Sequence, residues 1–182
     1  RSMEIIAGEL GETHWKEPEF SVVRRCIHTS ADFDYNVNLK FSEAACQRGI
    51  RALRSGADIV TDTRMAMSGI NKGRLAEYGG QVHCFIDDET VIKEAKARGI
   101  TRSAICMERG AAIKKPVIFA IGNAPTALIR LYELVESGAV WPELVIGVPV
   151  GFVNVVESKE LFMRTGIPWI IAAGRKGGSN IA

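Results

Sequence analysis

Histidine is scarce in this sequence of 182 residues: there are three, His14, His28 and His83. They show no H-x-x-x-H spacing and no carboxylate cluster accompanies them, so the sequence offers no ligand set for a protein-bound catalytic metal. Cysteine is also sparse. The four cysteines, Cys26, Cys46, Cys84 and Cys106, contain no C-x-x-C pair, which argues against structural zinc or a disulfide framework and for a reducing compartment. They read as small apolar buried thiols. Excess charge is missing as well: a formal net charge of +2, without any Lys/Arg block, cannot create the broad basic field that nonspecific nucleic-acid binding requires. No uninterrupted apolar run reaches the ~18 residues of a membrane span. The opening Arg1-Ser2-Met3-Glu4-Ile5-Ile6 leads into acidic, amphipathic sequence rather than the apolar segment of a secretory signal. Neither the P-loop pattern nor G-x-G-x-x-G occurs, which disfavours a nucleotide cofactor. These absences point to a cytoplasmic protein with no nucleic-acid or membrane partner.

What is present suits one well-buried core. With 47% hydrophobic and 24% charged residues, the chain is expected to form a single domain over residues 1–182. Met3, Ile6 and Leu10 have helical spacing, so the opening reads as the middle or end of a helix, and preceding sequence is expected. The chain stops at Ala182 after a polar glycine loop where a helix is expected to begin, so both terminal segments are expected to be missing. Short β-branched runs alternate with longer helical patterns, the signature of a parallel sheet covered by helices. The expected strands are Ser21–Ile27, Ala57–Thr61, Gln81–Ile86, Pro116–Ile121, Leu144–Val148 and Pro168–Ala172. The expected helices are Ser42–Arg54, Val91–Gly99, Thr101–Ile113, Pro125–Ser137 and Val155–Thr165. Ser42 and Thr101 are candidate N-caps, and Gly56, Gly99, Gly138 and Gly166 candidate left-handed stops.

Polar loops follow these candidate strands: His28-Thr29-Ser30, Asp62-Thr63-Arg64, Gly122-Asn123-Ala124-Pro125, Pro149-Val150-Gly151, and Gly174 through Ser179. In an open parallel sheet the carboxyl ends share one rim, where ligands bind. Gly174-Arg175-Lys176-Gly177-Gly178-Ser179 combines backbone N–H groups with cationic and hydroxyl donors and so suits carboxylate or phosphate, although an ordinary turn uses the same residues. Asn123 and Thr126 flank Pro125, which fits the first position of a helix whose start attracts anions; a plain capped turn reads the same way. Asp62 and Arg64 either orient each other, divide their work between backbone and ligand, or form an ordinary surface pair. His28 is the only histidine in this expected crevice, and an imidazole both holds and surrenders a proton near neutral pH. His83, within a strand pattern, reads as structural.

Several of these loops, with their flanks and in order, resemble the precorrin-8X and cobalt-precorrin-8 methylmutase family. The resemblance is carried by Arg1–Ile6; Val23-Arg24-Arg25-Cys26-Ile27-His28-Thr29-Ser30; Ile59-Val60-Thr61-Asp62-Thr63-Arg64-Met65 with Gly69-Ile70; Ala120-Ile121-Gly122-Asn123-Ala124-Pro125-Thr126-Ala127-Leu128; Gly147-Val148-Pro149-Val150-Gly151-Phe152-Val153 through Glu157-Ser158-Lys159; and Gly174–Ser179. It implies a single-domain Rossmann-like α/β fold, a mainly parallel sheet flanked by helices. It also implies a homodimeric isomerase that shifts the C-11 methyl of its tetrapyrrole to C-12, with hydrogenobyrinate or cobyrinate as product. The family's catalytic histidine matches His28. No resident cofactor is implied, since any cobalt is carried by the tetrapyrrole. Cys26 stands where the family commonly has an aliphatic residue.

The residue chemistry suits that assignment. A corrinoid precursor is a broad apolar macrocycle edged by carboxylates, so its site needs apolar walls and spaced anion donors. Met65, Met67, Phe152 and Val153 are candidates for walls, with ordinary packing as the alternative. Arg64, Asn123, Arg175, Lys176 and Ser179 are candidate carboxylate donors, with Thr29, Ser30, Asp62, Gly122, Thr126, Gly151, Gly177 and Gly178 expected around the substrate. Two rival readings stand beside this one: a transferase using the Gly174–Ser179 loop for a nucleotide or S-adenosylmethionine, and a noncatalytic corrinoid carrier that has no need of His28.

Overall fold

The computed structural model describes residues 1–182 and builds one six-stranded sheet with helices on both faces. In chain order the elements begin with α1 (Ser2–Leu10), α2 (Glu19–Ser30), α3 (Tyr35–Asn38), β1 (Leu39–Phe41), α4 (Ala45–Arg54) and β2 (Asp58–Thr61). They continue through α5 (Arg64–Gly69), α6 (Lys72–Glu77), β3 (Val82–His83), α7 (Glu89–Arg98), α8 (Arg102–Ala111) and β4 (Val117–Ile121). The last are α9 (Pro125–Glu136), β5 (Leu144–Gly147), α10 (Val155–Phe162) and β6 (Trp169–Ala172). The strand order is β1-β6-β5-β4-β2-β3, with every neighbouring pair parallel except β1 against β6.

Strand β4 shows why the sheet is central. Val117, Phe119 and Ile121 enter the core beneath α7, α8, α9 and α10, while Ile118 and Ala120 enter the core beneath α1, α2 and α4. All five residues of β4 are buried, as expected for a β-branched strand covered on both faces. Phe119 is 0% exposed, and Gly110 on α8 makes room for it: a Cβ at Gly110 would lie 2.6 Å from the Phe119 ring. The shape is therefore specified by close packing as well as by burial.

Five expected strands occur, and the sixth does not. Residues Ser21–Ile27 are helical and belong to α2. Val23, Cys26 and Ile27 are buried while Ser21, Arg25 and His28 are exposed, a period near 3.6 that the adjacent valines concealed. The sheet's remaining strand is β1, whose three residues are too short to show alternation. Its presence also explains Ser42. That hydroxyl accepts from the Trp169 N–H at 2.8 Å across the β1–β6 edge, so Ser42 caps no helix, and α4 starts at Ala45 after Ala44 in a left-handed conformation. Thr101 does cap α8, accepting from Ala104 N–H at 3.2 Å. Gly56, Gly99 and Gly138 take positive φ as expected, with Gly99 ending α7, whereas Gly166 does not and α10 ends earlier, at Phe162.

Candidate active site

The carboxyl ends of β2, β4, β5 and β6 carry polar loops that are bonded to one another. Asp62, 1% exposed, follows β2 and accepts three backbone N–H groups from the loop after β4: Gly122 at 2.9 Å, Asn123 at 2.9 Å and Ala124 at 2.8 Å. Thr63 caps α5 by accepting from Ala66 N–H, and its hydroxyl lies 2.7 Å from that of Ser179 after β6. Gly122 permits this approach, because a Cβ there would lie 2.6 Å from Ser179 Cα. Gly178 N–H donates to Val148 O at 2.9 Å, and Gly151 N–H to Arg175 O at 3.2 Å, which joins the β5 and β6 loops. Four of the expected loops therefore meet on one rim.

The fifth arrives from a helix. His28-Thr29-Ser30 forms the last turn of α2, not the end of a strand, and His28 is exposed there. Ser30 closes the turn: its hydroxyl donates to Cys26 O at 2.7 Å and accepts from Asp32 N–H at 3.2 Å. The following loop grips the rim, since Asp32 and Asp34 each accept from Lys176 Nζ at 2.6 Å. Hydrogen bonding to Lys176 holds the Asp32 carboxyl below its ordinary pKa, and the same two contacts push Lys176 upward.

Two clefts open along the rim on either side of the start of α5. One, of about 490 Å3, is lined by Asp62, Thr63, Arg64, Ile86, Thr101, Arg102, Ser103 and Asn123. The other, of about 630 Å3, is lined by Arg25, Thr29, Met65, Ala66, Gly69, Ile70 and Ser179 through Ala182. The first carries cationic and hydroxyl groups suited to carboxylates, and the second adds an apolar wall. Beyond them, Phe152 and Val153 stand 82% and 77% exposed, with the Arg175 guanidinium 5.2 Å from the Phe152 ring centroid. Met65 is 62% exposed, while Met67 is half-buried with its sulfur 3.6 Å from an Arg64 nitrogen.

Several expected site residues have more specific positions than their sequence suggested. Asp62 does not pair with Arg64. Both its oxygens are committed to the β4 loop, so the anion-attracting backbone before α9 already holds a carboxylate of the protein. Arg64 pairs with Asp87 at 2.9 Å, both half exposed, a weak tie that leaves the guanidinium free to exchange. Lys176 is similarly occupied by Asp32 and Asp34, so Arg175 is the more available cation of its loop. Thr126 faces a separate groove between α8 and α9, where its hydroxyl lies 3.1 Å from that of Thr101. His28 lines neither rim cleft, although Thr29 beside it does.

Sequence reasoning missed Arg102 and Lys159. Arg102, first residue of α8, lines the cleft of Arg64 and Asn123; its place after the Thr101 cap was the available signal. Lys159 lies inside α10, 1% exposed, with Nζ donating to Gly174 O at 2.7 Å and Lys176 O at 2.9 Å. Burial pushes its pKa down to about 8. His83 is structural as expected: its Nε2 lies 2.8 Å from Asp58, which also takes Lys115 at 2.6 Å. All four cysteines are free and buried, and burial raises Cys26 to about 11 and Cys46 and Cys106 to about 12.

Fold and rim together define an open-sheet α/β protein with its polar loops gathered at the carboxyl ends of its strands, where such sheets commonly bind ligands. No helix is long and apolar enough to cross a membrane. The sequence matches the precorrin-8X methylmutase family over residues 1–182, and the chain belongs to that family, whose members are isomerases of corrin biosynthesis. It is 43% identical over 181 residues to a cobalt-precorrin-8 methylmutase of Priestia megaterium, covering 100% of this chain and 80% of that protein. To the cobalt-precorrin-8 methylmutase of Salmonella typhimurium it is 47% identical over 165 residues, covering 89% of this chain and 76% of that one. The crystal structure of a precorrin-8X methylmutase from Thermus thermophilus superposes with a TM-score of 0.88 at 38% identity, covering 99% of this chain and 88% of that one.

Proposed function

We propose that the chain isomerises precorrin-8X, or its cobalt-containing counterpart, by moving the C-11 methyl to C-12, with His28 as proton or hydrogen-bond donor. The observation that carries this reading is the placement of His28, an exposed imidazole in the last turn of α2, beside a loop that holds Lys176 of the rim. The rim loops clamp the macrocycle through its edge carboxylates, and Arg64, Arg102, Asn123 and Arg175 are the donors best placed to do so. His28 then donates toward a ring nitrogen near the migrating methyl. That donation draws electron density to the nitrogen, and the methyl leaves C-11 as it bonds to C-12. Nothing is added or removed in net, so no resident cofactor is required, and any cobalt belongs to the substrate. Acid assistance of this kind contributes about 10²–10⁴-fold.

The test follows absorbance, because methyl migration changes the conjugated system. Metal-free and cobalt-containing substrates run in parallel identify the preferred form. His28→Ala should fold, bind tetrapyrrole and lose turnover by roughly 10²-fold or more; full turnover in that variant excludes the role. We further propose that the protein acts as a cytoplasmic homodimer with the tetrapyrrole as its ligand, and a monomeric mass by sedimentation refutes that assembly.

A further inference from the structure

Lys159 takes no part in the proton donation proposed above, yet it is the one lysine in the interior. A buried ammonium is costly unless hydrogen bonds offset the lost hydration. Here the offset comes from two carbonyl dipoles, those of Gly174 and Lys176, at 2.7 and 2.9 Å. Both belong to the loop after β6, and Gly174 itself has the left-handed φ of 80° that lets the loop curl around the ammonium.

The planarity of the peptide bond extends the consequence to the loop's outer side. In a trans peptide the N–H points opposite to the C=O of the same unit. The chain's cis bond is Glu17–Pro18, so the units joining Gly174 to Arg175 and Lys176 to Gly177 are trans. With both carbonyls drawn to Lys159, the N–H groups of Arg175 and Gly177 point away from it. Neither donates to an acceptor within the chain. The loop thus leaves two unpaired donors on the side away from Lys159 with the ammonium behind them, an arrangement that attracts anions.

We propose that Lys159 is a positioning residue, holding the Gly174–Gly177 loop so that the Arg175 and Gly177 N–H groups bind one carboxylate of the tetrapyrrole. The inference rests on the methylmutase reading and adds to it which backbone groups recognise the substrate's edge. Arg175 and Gly177 supply the contact; Lys159 never touches the ligand. Because the same carboxylate is held before and after methyl migration, losing the clamp weakens binding more than it slows chemistry.

The experiment compares wild type, Lys159→Met and Lys159→Arg in absorbance titrations with hydrogenobyrinic acid and with its carboxyl-methyl ester. Lys159→Met should bind the acid on the order of 10- to 100-fold more weakly, the worth of charge-assisted hydrogen bonds. It should bind the ester as wild type does, raise KM with little change in kcat, and be largely rescued by Lys159→Arg. Equal acid affinity in folded Lys159→Met, or equal losses for acid and ester, overturns the proposal. A second measurement needs no variant: in ¹⁵N-labelled wild type, saturating acid should shift the amide signals of Arg175 and Gly177, and unmoved signals overturn it. Wild type that fails to isomerise either substrate form defeats the methylmutase reading itself, whereas active wild type with unmoved amides defeats only the clamp.

Discussion

Replacing Asp62 by asparagine exchanges one carboxylate oxygen for an amide nitrogen in a place that offers three donors. The best orientation keeps the remaining oxygen on the Asn123 and Ala124 N–H groups, which share one oxygen of Asp62. The new amide then faces Gly122 N–H, donor against donor, at a side chain 1% exposed. Leaving that N–H unpaired costs about 1–3 kcal/mol, and the two surviving bonds lose their charge assistance. Together the loss is about 2–5 kcal/mol, which for a domain of this size lowers Tm by roughly 5–20 °C. Thermal unfolding by circular dichroism and urea denaturation should agree on the magnitude. A different role for Asp62 gives the opposite pattern: a residue that contacts ligand and does not build the rim leaves Tm in place and weakens tetrapyrrole binding. A Tm within about 2 °C of wild type would therefore refute the account of Asp62 as the tie between the β2 and β4 loops.

Two further outcomes are expected from packing and charge. Phe119→Ala should destabilise the fold by about 3–5 kcal/mol in urea unfolding, because the ring is fully buried and Gly110 cannot refill the space; a loss below about 1 kcal/mol contradicts the packing described. Lys176→Ala should change the acid limb of the stability curve. The Asp32 carboxyl lies below its ordinary value in the folded chain, so its contribution is present above the unfolded pKa and fades as pH falls through the depressed one. Removing Lys176 should flatten that loss between neutral and acid pH, and an unchanged acid limb contradicts the pairing.

The parallel strands were legible because burial on both faces demands continuous β-branched runs, which β2, β4 and β5 supply. Helix α2 was not, because Val22-Val23 resembles a strand until the burial of Cys26 and Ile27 reveals the helical stripe. Edge strand β1 carries too few residues for any periodic signal. At the site, sequence order located four of the five loops on one rim, since each of those follows a strand, whereas His28-Thr29-Ser30 reaches it from the end of α2. What it hid was occupancy: Asp62 meets a loop some sixty residues away, Lys176 meets carboxylates before β1, and Lys159 turns inward from a helix with a polar face. Such partners are chosen by tertiary contact, so a residue's chemistry announces its capacity but not its commitment.

The two outermost strands, three and two residues long, leave almost no backbone ladder for another chain to extend. Short borders of this kind discourage the strand-to-strand adhesion that drives aggregation. Edges this short favour contacts through helical surfaces and loops, where side chains can discriminate, over hydrogen bonding that every polypeptide shares.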